Sequence, residues 1–228
     1  MNPSIIIAEN EADFRARGAS LLSAGIRKAI LDRGRAIVGF SGGSTPKAIY
    51  EMLGQDPAID WSKVWIFLVD DRFIRKDDPR SNQFLLRSTL LKHAPVPESQ
   101  IIIPDTTLPY QESIALYEKH LEALLEKGPP DIVTLGLGGD GHIASLFPPV
   151  PKEAFSEKFV TGAITDRFDV RQRISVTMKV LISAREALFF LKGAKKKKTW
   201  DEMLLSTEGP ERWPGESVLH KATLLAMW

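Results

Sequence analysis

The segment from Gly138 to Pro148 contains the residues best suited to chemistry. Asp140 stands two residues before His142 in a glycine-rich turn. A carboxylate that fixes one imidazole tautomer makes the ring a competent general base for activating water. We expect this pair at the head of a short helix, where the glycines leave both side chains exposed.

The same segment contains Gly136, Gly138 and Gly141, which satisfy the G-x-G-x-x-G spacing of a dinucleotide-binding turn. That interpretation requires a second strand ending in an acid about 20 residues later. The sequence has a proline-broken loop there instead. We therefore expect no bound dinucleotide.

A second candidate is the run Ser41 to Pro46 (SGGSTP), which follows the apolar run AIVGF. Its glycines permit a tight turn and a close approach of the backbone to a ligand. Ser44 or Thr45 is expected to cap the next helix, with Pro46 in its first turn. Backbone N–H groups and hydroxyls there would form a phosphate cradle, although an ordinary strand-to-helix turn is an equal alternative.

Charged residues follow two further apolar runs. Asp70-Asp71-Arg72 comes directly after VWIFLV, and could hold a substrate or form a surface ion cluster with a helix cap at Ser81 or Asn82. Lys195 to Lys198 opens the last helix, where cations oppose the helix dipole unless an anion relieves them. A solvated lysine face is the alternative. Arg173 is one more cation, at the start of a strand-like run.

Composition excludes several classes of protein. The 228 residues are 43% hydrophobic and 26% charged, which is typical of a globular chain and not of a disordered or fibrous one. The formal net charge of +1 offers no general field for a nucleic acid. The chain has no cysteine, no H-E-x-x-H motif and no clustered histidines, so we expect no metal. Without a signal peptide or a long apolar run, we expect a cytoplasmic protein with no membrane partner.

Apolar runs alternate with amphipathic segments along the chain, which predicts an α/β fold with a mostly parallel sheet. We expect one Rossmann-like domain over 1–228, with helices on both faces of the sheet and a small excursion, Pro148 to Phe168, after the Asp-Gly-His motif. The predicted strands are Ala36–Phe40, Val64–Val69, Ile132–Leu137 and Ala187–Leu191, with a weak one near Lys158–Ile164. The predicted helices are Ala12–Asp32, Lys47–Leu53, Gln83–Lys92, Tyr110–Lys127 and Lys196–Leu205.

Together, SGGSTP, Asp70-Asp71-Arg72 and the run from Gly138 to Pro148 resemble the 6-phosphogluconolactonases, which form one family with the glucosamine-6-phosphate isomerases. The resemblance implies hydrolysis of 6-phospho-D-glucono-1,5-lactone without a metal or cofactor. It implies His142 as the general base, Asp140 as its orienting partner, Arg72 on the substrate or the oxyanion, and Asp70 on sugar hydroxyls or on Arg72. The implied phosphate ligands are Gly42, Gly43, Ser44, Thr45, Arg173 and Lys196.

Two other functions remain open on the same motifs. The isomerases, which are deaminases, have a glutamate just before the proline, where this chain has Phe147. Because phenylalanine cannot transfer a proton, the resemblance favours the lactonase. A non-catalytic sugar-phosphate sensor is the second alternative, since a fold does not fix a function. The oligomeric state is open, and a monomer is compatible with the sequence.

Overall fold

The computed structural model describes residues 3–228, which form two β-sheets and seven α-helices. The strands are β1 Ser4–Ile7, β2 Ala36–Phe40, β3 Val64–Leu68, β4 Asp70–Arg72, β5 Ile101–Ile102, β6 Ile132–Leu135, β7 Val160–Ile164, β8 Gln172–Val176, β9 Glu186–Lys192 and β10 Ala222–Met227. The helices are α1 Glu11–Arg33, α2 Lys47–Gly54, α3 Asn82–Ser88, α4 Leu90–His93, α5 Tyr110–Leu125, α6 Met178–Ser183 and α7 Ala194–Leu205.

The larger sheet is parallel throughout and confirms the predicted fold class. Its strand order is β1-β10-β9-β6-β2-β3-β5. Successive side chains of a strand point to opposite faces, and in β2 Val38 joins a buried cluster with residues of α1 and α2, whereas Ile37 joins one with residues of α5. Both faces of the sheet are therefore covered by helices.

The direction of chain progress reverses between β2 and β6. From β2 the chain adds β3 and β5 on one side, and it later adds β6, β9 and β10 on the other. At such a reversal the loops after the two central strands diverge, which opens a crevice beyond their carboxyl ends. The loops after β2 and β6 are the SGGSTP run and the glycine-rich turn of His142.

The smaller sheet is antiparallel, in the order β4-β8-β7. It continues directly from the larger sheet, because only Val69 separates the end of β3 from the start of β4. The predicted excursion supplies β7, Val160–Ile164, where the sequence predicted weak strand character. One hydrophobic cluster contains Val160 and Ile174 of this sheet together with Phe67 of the larger one. The assignment of 1–228 to one domain stays a prediction.

The predicted helix Gln83–Lys92 is wrong in one respect, because the structure breaks it into α3 and α4 at Thr89. The φ and ψ of Thr89 are −121° and −87°, outside the helical range. Its hydroxyl donates to the carbonyl of Leu85 at 2.6 Å. A threonine that bonds to the preceding turn disturbs the helix at that point. Within residues 3–228, no helix has the length and apolar character needed to cross a bilayer.

Candidate active site

A cleft of about 360 Å³ lies at the carboxyl ends of β2, β6 and β9. It brings together nine of the ten residues that the sequence singled out, which are Gly42, Gly43, Ser44, Thr45, Asp70, Arg72, His142, Arg173 and Lys196. The tenth, Asp140, contacts His142 without lining the cleft. The predicted residues therefore share one site, although their roles stay predictions.

His142 and Asp140 form a hydrogen-bonded pair. The Nδ1 atom of His142 is 2.5 Å from Oδ1 of Asp140, and the backbone N–H of His142 donates to the same oxygen at 3.3 Å. Burial alone would raise the pKa of Asp140, but hydrogen bonds from His142 and Arg167 outweigh it and lower that pKa. An ionised Asp140 accepts a hydrogen bond from a protonated Nδ1, so the tautomer with an unprotonated Nε2 is favoured.

The glycine-rich turn holds this pair without the short helix that we expected. The N–H of Gly138 donates to the carbonyl of His142 at 2.8 Å, which closes the turn. Gly141 and Ala144 have φ values of 91° and 50°, in the left-handed region. A right-handed helix cannot pass through such residues, so the predicted helix at Asp140 is wrong.

Two aromatic side chains pack against the His142 ring and against each other. The ring of Phe147 lies 4.7 Å away between centroids, and that of Phe168 lies 5.9 Å away, nearly perpendicular to it. The guanidinium of Arg173 lies 5.1 Å from the Phe168 ring centroid. The imidazole is therefore confined by packing as well as by its hydrogen bond.

Two arginines stand side by side in the cleft. Arg72 of β4 and Arg173 of β8 are cross-strand partners in the smaller sheet. Burial, followed by the charge of Arg72, lowers the pKa of Arg173, while the nearby Asp70 and Asp71 oppose that effect. Like charges directly opposite in a sheet repel. An anionic group bound between them would remove this repulsion.

Asn82, at the start of α3, connects the charged residues of β4. Its side-chain amide donates to the backbone carbonyl of Asp70 at 2.8 Å and accepts from Nη1 of Arg72 at 2.8 Å. Asp70 makes no direct hydrogen bond to Arg72 and instead accepts from Ser145 at 2.6 Å. Asn82 makes the direct contact with that guanidinium and also donates to Oδ1 of Asp70 at 3.3 Å, so the roles expected of Asp70 stay predictions.

Asp71, the middle residue of β4, is fully buried. Its carboxylate accepts from the backbone N–H groups of Arg72, Asn82 and Gln83, and from the hydroxyl of Ser81. Burial is the main reason that the pKa of Asp71 is raised to about 6. Ser81 caps α3 through a bond from Gln83, as the sequence predicted. Asp71 thus ties β4 to α3 and does not face the cleft.

The SGGSTP loop leaves its backbone donors free. Among residues 3–228, no protein group accepts a hydrogen bond from the N–H of Gly42, Gly43, Ser44 or Thr45. Gly43 has a φ of 96°, which favours glycine. The predicted helix cap at Ser44 or Thr45 is wrong, because α2 begins after Pro46 with no side-chain cap. Those hydroxyls therefore stay available to a ligand.

Of the four consecutive lysines, Lys196 lines the cleft. It is half-buried, its Nζ donates to the carbonyl of Leu137, and burial lowers its pKa. Lys197 and Lys198 instead pair with acids one turn further along α7, at 2.6 and 3.8 Å. The run thus combines one lysine in the cleft with an ordinary solvated face.

Arg167 and Phe168, in the loop between β7 and β8, were not predicted as site residues. Arg167 contacts Asp140, and Phe168 packs on His142. The sequence feature that comes closest is the proline-broken excursion. It predicts an irregular segment, but not which residues that segment contacts. No group of three or more potential metal ligands occurs among residues 3–228.

Comparison with known proteins gives a consistent family. The family model described as glucosamine-6-phosphate isomerases/6-phosphogluconolactonase matches residues 9–228. A Dictyostelium discoideum protein named probable 6-phosphogluconolactonase is 43% identical over 198 residues, covering 85% of this chain and 84% of that protein. A 6-phosphogluconolactonase of a Synechocystis species is 30% identical, covering 99% of this chain and 95% of that protein.

Solved structures show the same fold. The 6-phosphogluconolactonase of Plasmodium vivax superposes with a TM-score of 0.91 at 26% identity, covering all of this chain and 91% of that one. That of Thermotoga maritima gives a TM-score of 0.87 at 23% identity, covering 99% of both chains. The parallel sheet with helices on both faces is therefore common to this chain and to these structures.

Proposed function

This chain belongs to the glucosamine-6-phosphate isomerase/6-phosphogluconolactonase family, and on that premise we propose that it hydrolyses 6-phospho-D-glucono-1,5-lactone to 6-phospho-D-gluconate. This reaction is the second step of the oxidative pentose phosphate pathway. The observation that carries the proposal is the pair of His142 and Asp140 beside a cleft whose lining includes the cations Arg72, Arg173 and Lys196. The relatives from Dictyostelium discoideum and Synechocystis are named for the same reaction.

In this mechanism His142 acts as the general base. Its Nε2 removes a proton from a water molecule, which attacks the lactone carbonyl carbon. When the tetrahedral intermediate collapses, the bond to the ring oxygen breaks and the imidazolium returns the proton to that oxygen. The lactone is an activated ester, so an oriented water and charge stabilisation suffice, with no covalent intermediate. Asp140 fixes the tautomer and stabilises the imidazolium.

The other residues of the cleft bind the two ends of the substrate. Arg72, held by Asn82, stabilises the negative charge that develops on the carbonyl oxygen, and Asp70 binds sugar hydroxyls. The phosphate binds to the free N–H groups of the SGGSTP loop, to Arg173 and to Lys196. Binding energy from this remote group serves to position the carbonyl against His142.

The isomerase alternative requires an acid beside the histidine that this chain lacks. Phe147 occupies the place of the family's glutamate, and its ring packs against His142. A phenyl ring can neither donate nor accept the proton that sugar ring opening needs. Lactone hydrolysis is therefore the better supported of the two activities.

The direct test is hydrolysis of freshly generated lactone by the purified protein in the presence of a chelator. We expect turnover well above the spontaneous rate and no ammonia release from glucosamine 6-phosphate. Ammonia release would establish the isomerase instead. Binding of 6-phosphogluconate without turnover of any sugar lactone would establish the sensor.

The phosphate site gives a prediction that separates binding from chemistry. We expect Lys196→Ala to lower kcat/KM for the phosphorylated lactone about 10- to 100-fold, as loss of a charged hydrogen bond of about 1.5–3 kcal/mol implies. The same variant should affect hydrolysis of unphosphorylated glucono-1,5-lactone much less, since that substrate has no phosphate for Lys196 to bind.

Lys198→Ala is the matched control, because Lys198 lies on the same helix with its side chain 79% exposed and pairs with Glu202. It should leave both substrates unaffected. Equal losses on the two lactones in Lys196→Ala would place Lys196 outside the phosphate site.

The proposal includes a small-molecule partner only, with no nucleic acid and no membrane, and a cytoplasmic location. The oligomeric state stays open, and a monomer is compatible with the proposed reaction. Light scattering of the purified protein measures the assembly, and cell fractionation measures the location.

A further inference from the structure

The loop between β7 and β8 contacts the catalytic pair through two successive residues. Arg167 donates from Nη1 to Oδ2 of Asp140, and from Nη2 to the backbone carbonyl of Pro148 at 2.8 Å. Phe168 packs its ring against that of His142. One loop therefore contacts both the proposed base and its orienting carboxylate.

The two oxygens of the Asp140 carboxylate bind different residues. Oδ1 faces His142 and Oδ2 faces Arg167. A carboxylate bound at one oxygen can rotate about its side-chain bonds, whereas a carboxylate bound at both is fixed. Arg167 is itself fixed by its second bond, to Pro148, which lies in the chain segment that follows the His142 turn.

We infer that Arg167 is a positioning residue for the proposed hydrolysis, which holds Asp140 in the orientation that directs a single oxygen to Nδ1 of His142. The inference rests on the proposed function for its kinetic consequences. Its structural consequence, a fixed imidazole tautomer, does not require any substrate.

Charge supports the same role. The groups that face the pair are Arg167, Lys196, whose charge acts on Asp140, and Arg212, which donates to the backbone carbonyl of Asp140 at 2.8 Å. Phe147 and Phe168 contribute no charge. Arg167 is the cation bound directly to the carboxylate. Its positive charge offsets part of the negative charge that would otherwise favour protonation of the imidazole. Its removal should therefore make the imidazolium form more favourable.

The test compares Arg167→Ala and Arg167→Lys with Arg171→Ala. Arg171 is the matched control, because it lies in the same loop with its side chain 62% exposed and pairs with Asp166, away from the catalytic pair. We expect Arg167→Ala to lower kcat about 10- to 100-fold, the size of effect that a small misplacement of a catalytic group produces. KM should change much less, and the acidic limb of the pH–rate profile should move to higher pH.

Arg167→Lys keeps the charge but loses the second bond of the planar guanidinium, so it should restore part of kcat. Arg171→Ala should match the wild-type enzyme. Without substrate, the ¹⁵N resonances of the His142 imidazole should report a single neutral tautomer in the wild type and a mixture or an imidazolium at the same pH in Arg167→Ala.

A wild-type kcat and an unchanged ¹⁵N spectrum in Arg167→Ala would overturn the inference. A lower kcat with an unchanged pH profile and an unchanged ¹⁵N spectrum would also overturn it, because Arg167 would then only anchor the loop. Absence of lactone hydrolysis in the wild type would count against the proposed function alone, since the ¹⁵N comparison still tests the contact.

Discussion

Replacement of His142 by alanine should lower kcat for 6-phosphogluconolactone hydrolysis about 10²- to 10⁴-fold, the range that general-base catalysis contributes. The variant keeps the cations of the cleft, so KM should stay within about threefold, which is the effect expected when a group acts in the transition state and not in ground-state binding. The measurement is the initial rate on freshly generated lactone, corrected for spontaneous hydrolysis.

A second variant separates loss of the base from loss of the fold. His142→Asn retains an amide N–H that can donate to Asp140 in place of Nδ1, but an amide cannot take a proton from water. We expect it to be as inactive as His142→Ala while retaining the wild-type thermal midpoint. His120→Ala, an exposed histidine on α5, is the control and should be fully active. Substantial activity in both His142 variants would retain the family and reject His142 as the base.

The sequence predicted the central strands and the site because both depend on local patterns. Near-continuous apolar runs such as AIVGF form strands that are buried on both faces, and their bounds are reproduced within two residues. Since ligands bind beyond the carboxyl ends of parallel strands, the residues that follow those runs meet in one cleft. Strand identity alone was therefore enough to bring Gly42, Arg72, His142 and Lys196 together.

Three strands of the larger sheet, β1, β5 and β10, were not predicted, because their sequences carry a weaker signal. β1 has four residues and two exposed isoleucines, and β5 has only two residues. β10 lies between β1 and β9 and is largely buried, but its run ATLLAM is as compatible with a helix as with a strand. Pairing with neighbouring strands decides whether such segments form strands or helices.

Contacts between residues distant in sequence also could not be predicted from local sequence patterns. The bond between Arg167 and Asp140 joins residues 27 positions apart, and the link from Asn82 to Arg72 depends on how β4 meets α3. The expected helix at Asp140 failed for a different reason. Its glycines predicted a turn, but the positive φ of Ala144 follows from the packing of that turn and not from its own residue type.

Alanine substitutions at the neighbouring glycines Gly138 and Gly139 should differ strongly in their effect on activity. A Cβ atom on Gly138 would overlap the Nδ1 and Cε1 atoms of His142 and would lie 2.5 Å from Oδ1 of Asp140, whereas a Cβ on Gly139 would meet nothing within 4 Å. Neither glycine has a positive φ, so alanine is compatible with the backbone at both.

We expect Gly138→Ala to lower kcat about 100-fold, because it drives the imidazole away from Asp140 and a displacement of about 1 Å is enough for such a loss. The ring cannot yield easily, since Phe147 and Phe168 pack against it. The overpacking should also cost about 1–3 kcal/mol of unfolding free energy. Gly139→Ala should retain both activity and stability. Equal activity of the two variants, measured with the thermal midpoint of each, would show that catalysis does not depend on the close contact of His142 with Asp140, since the geometry of this pair is what distinguishes the two substitutions.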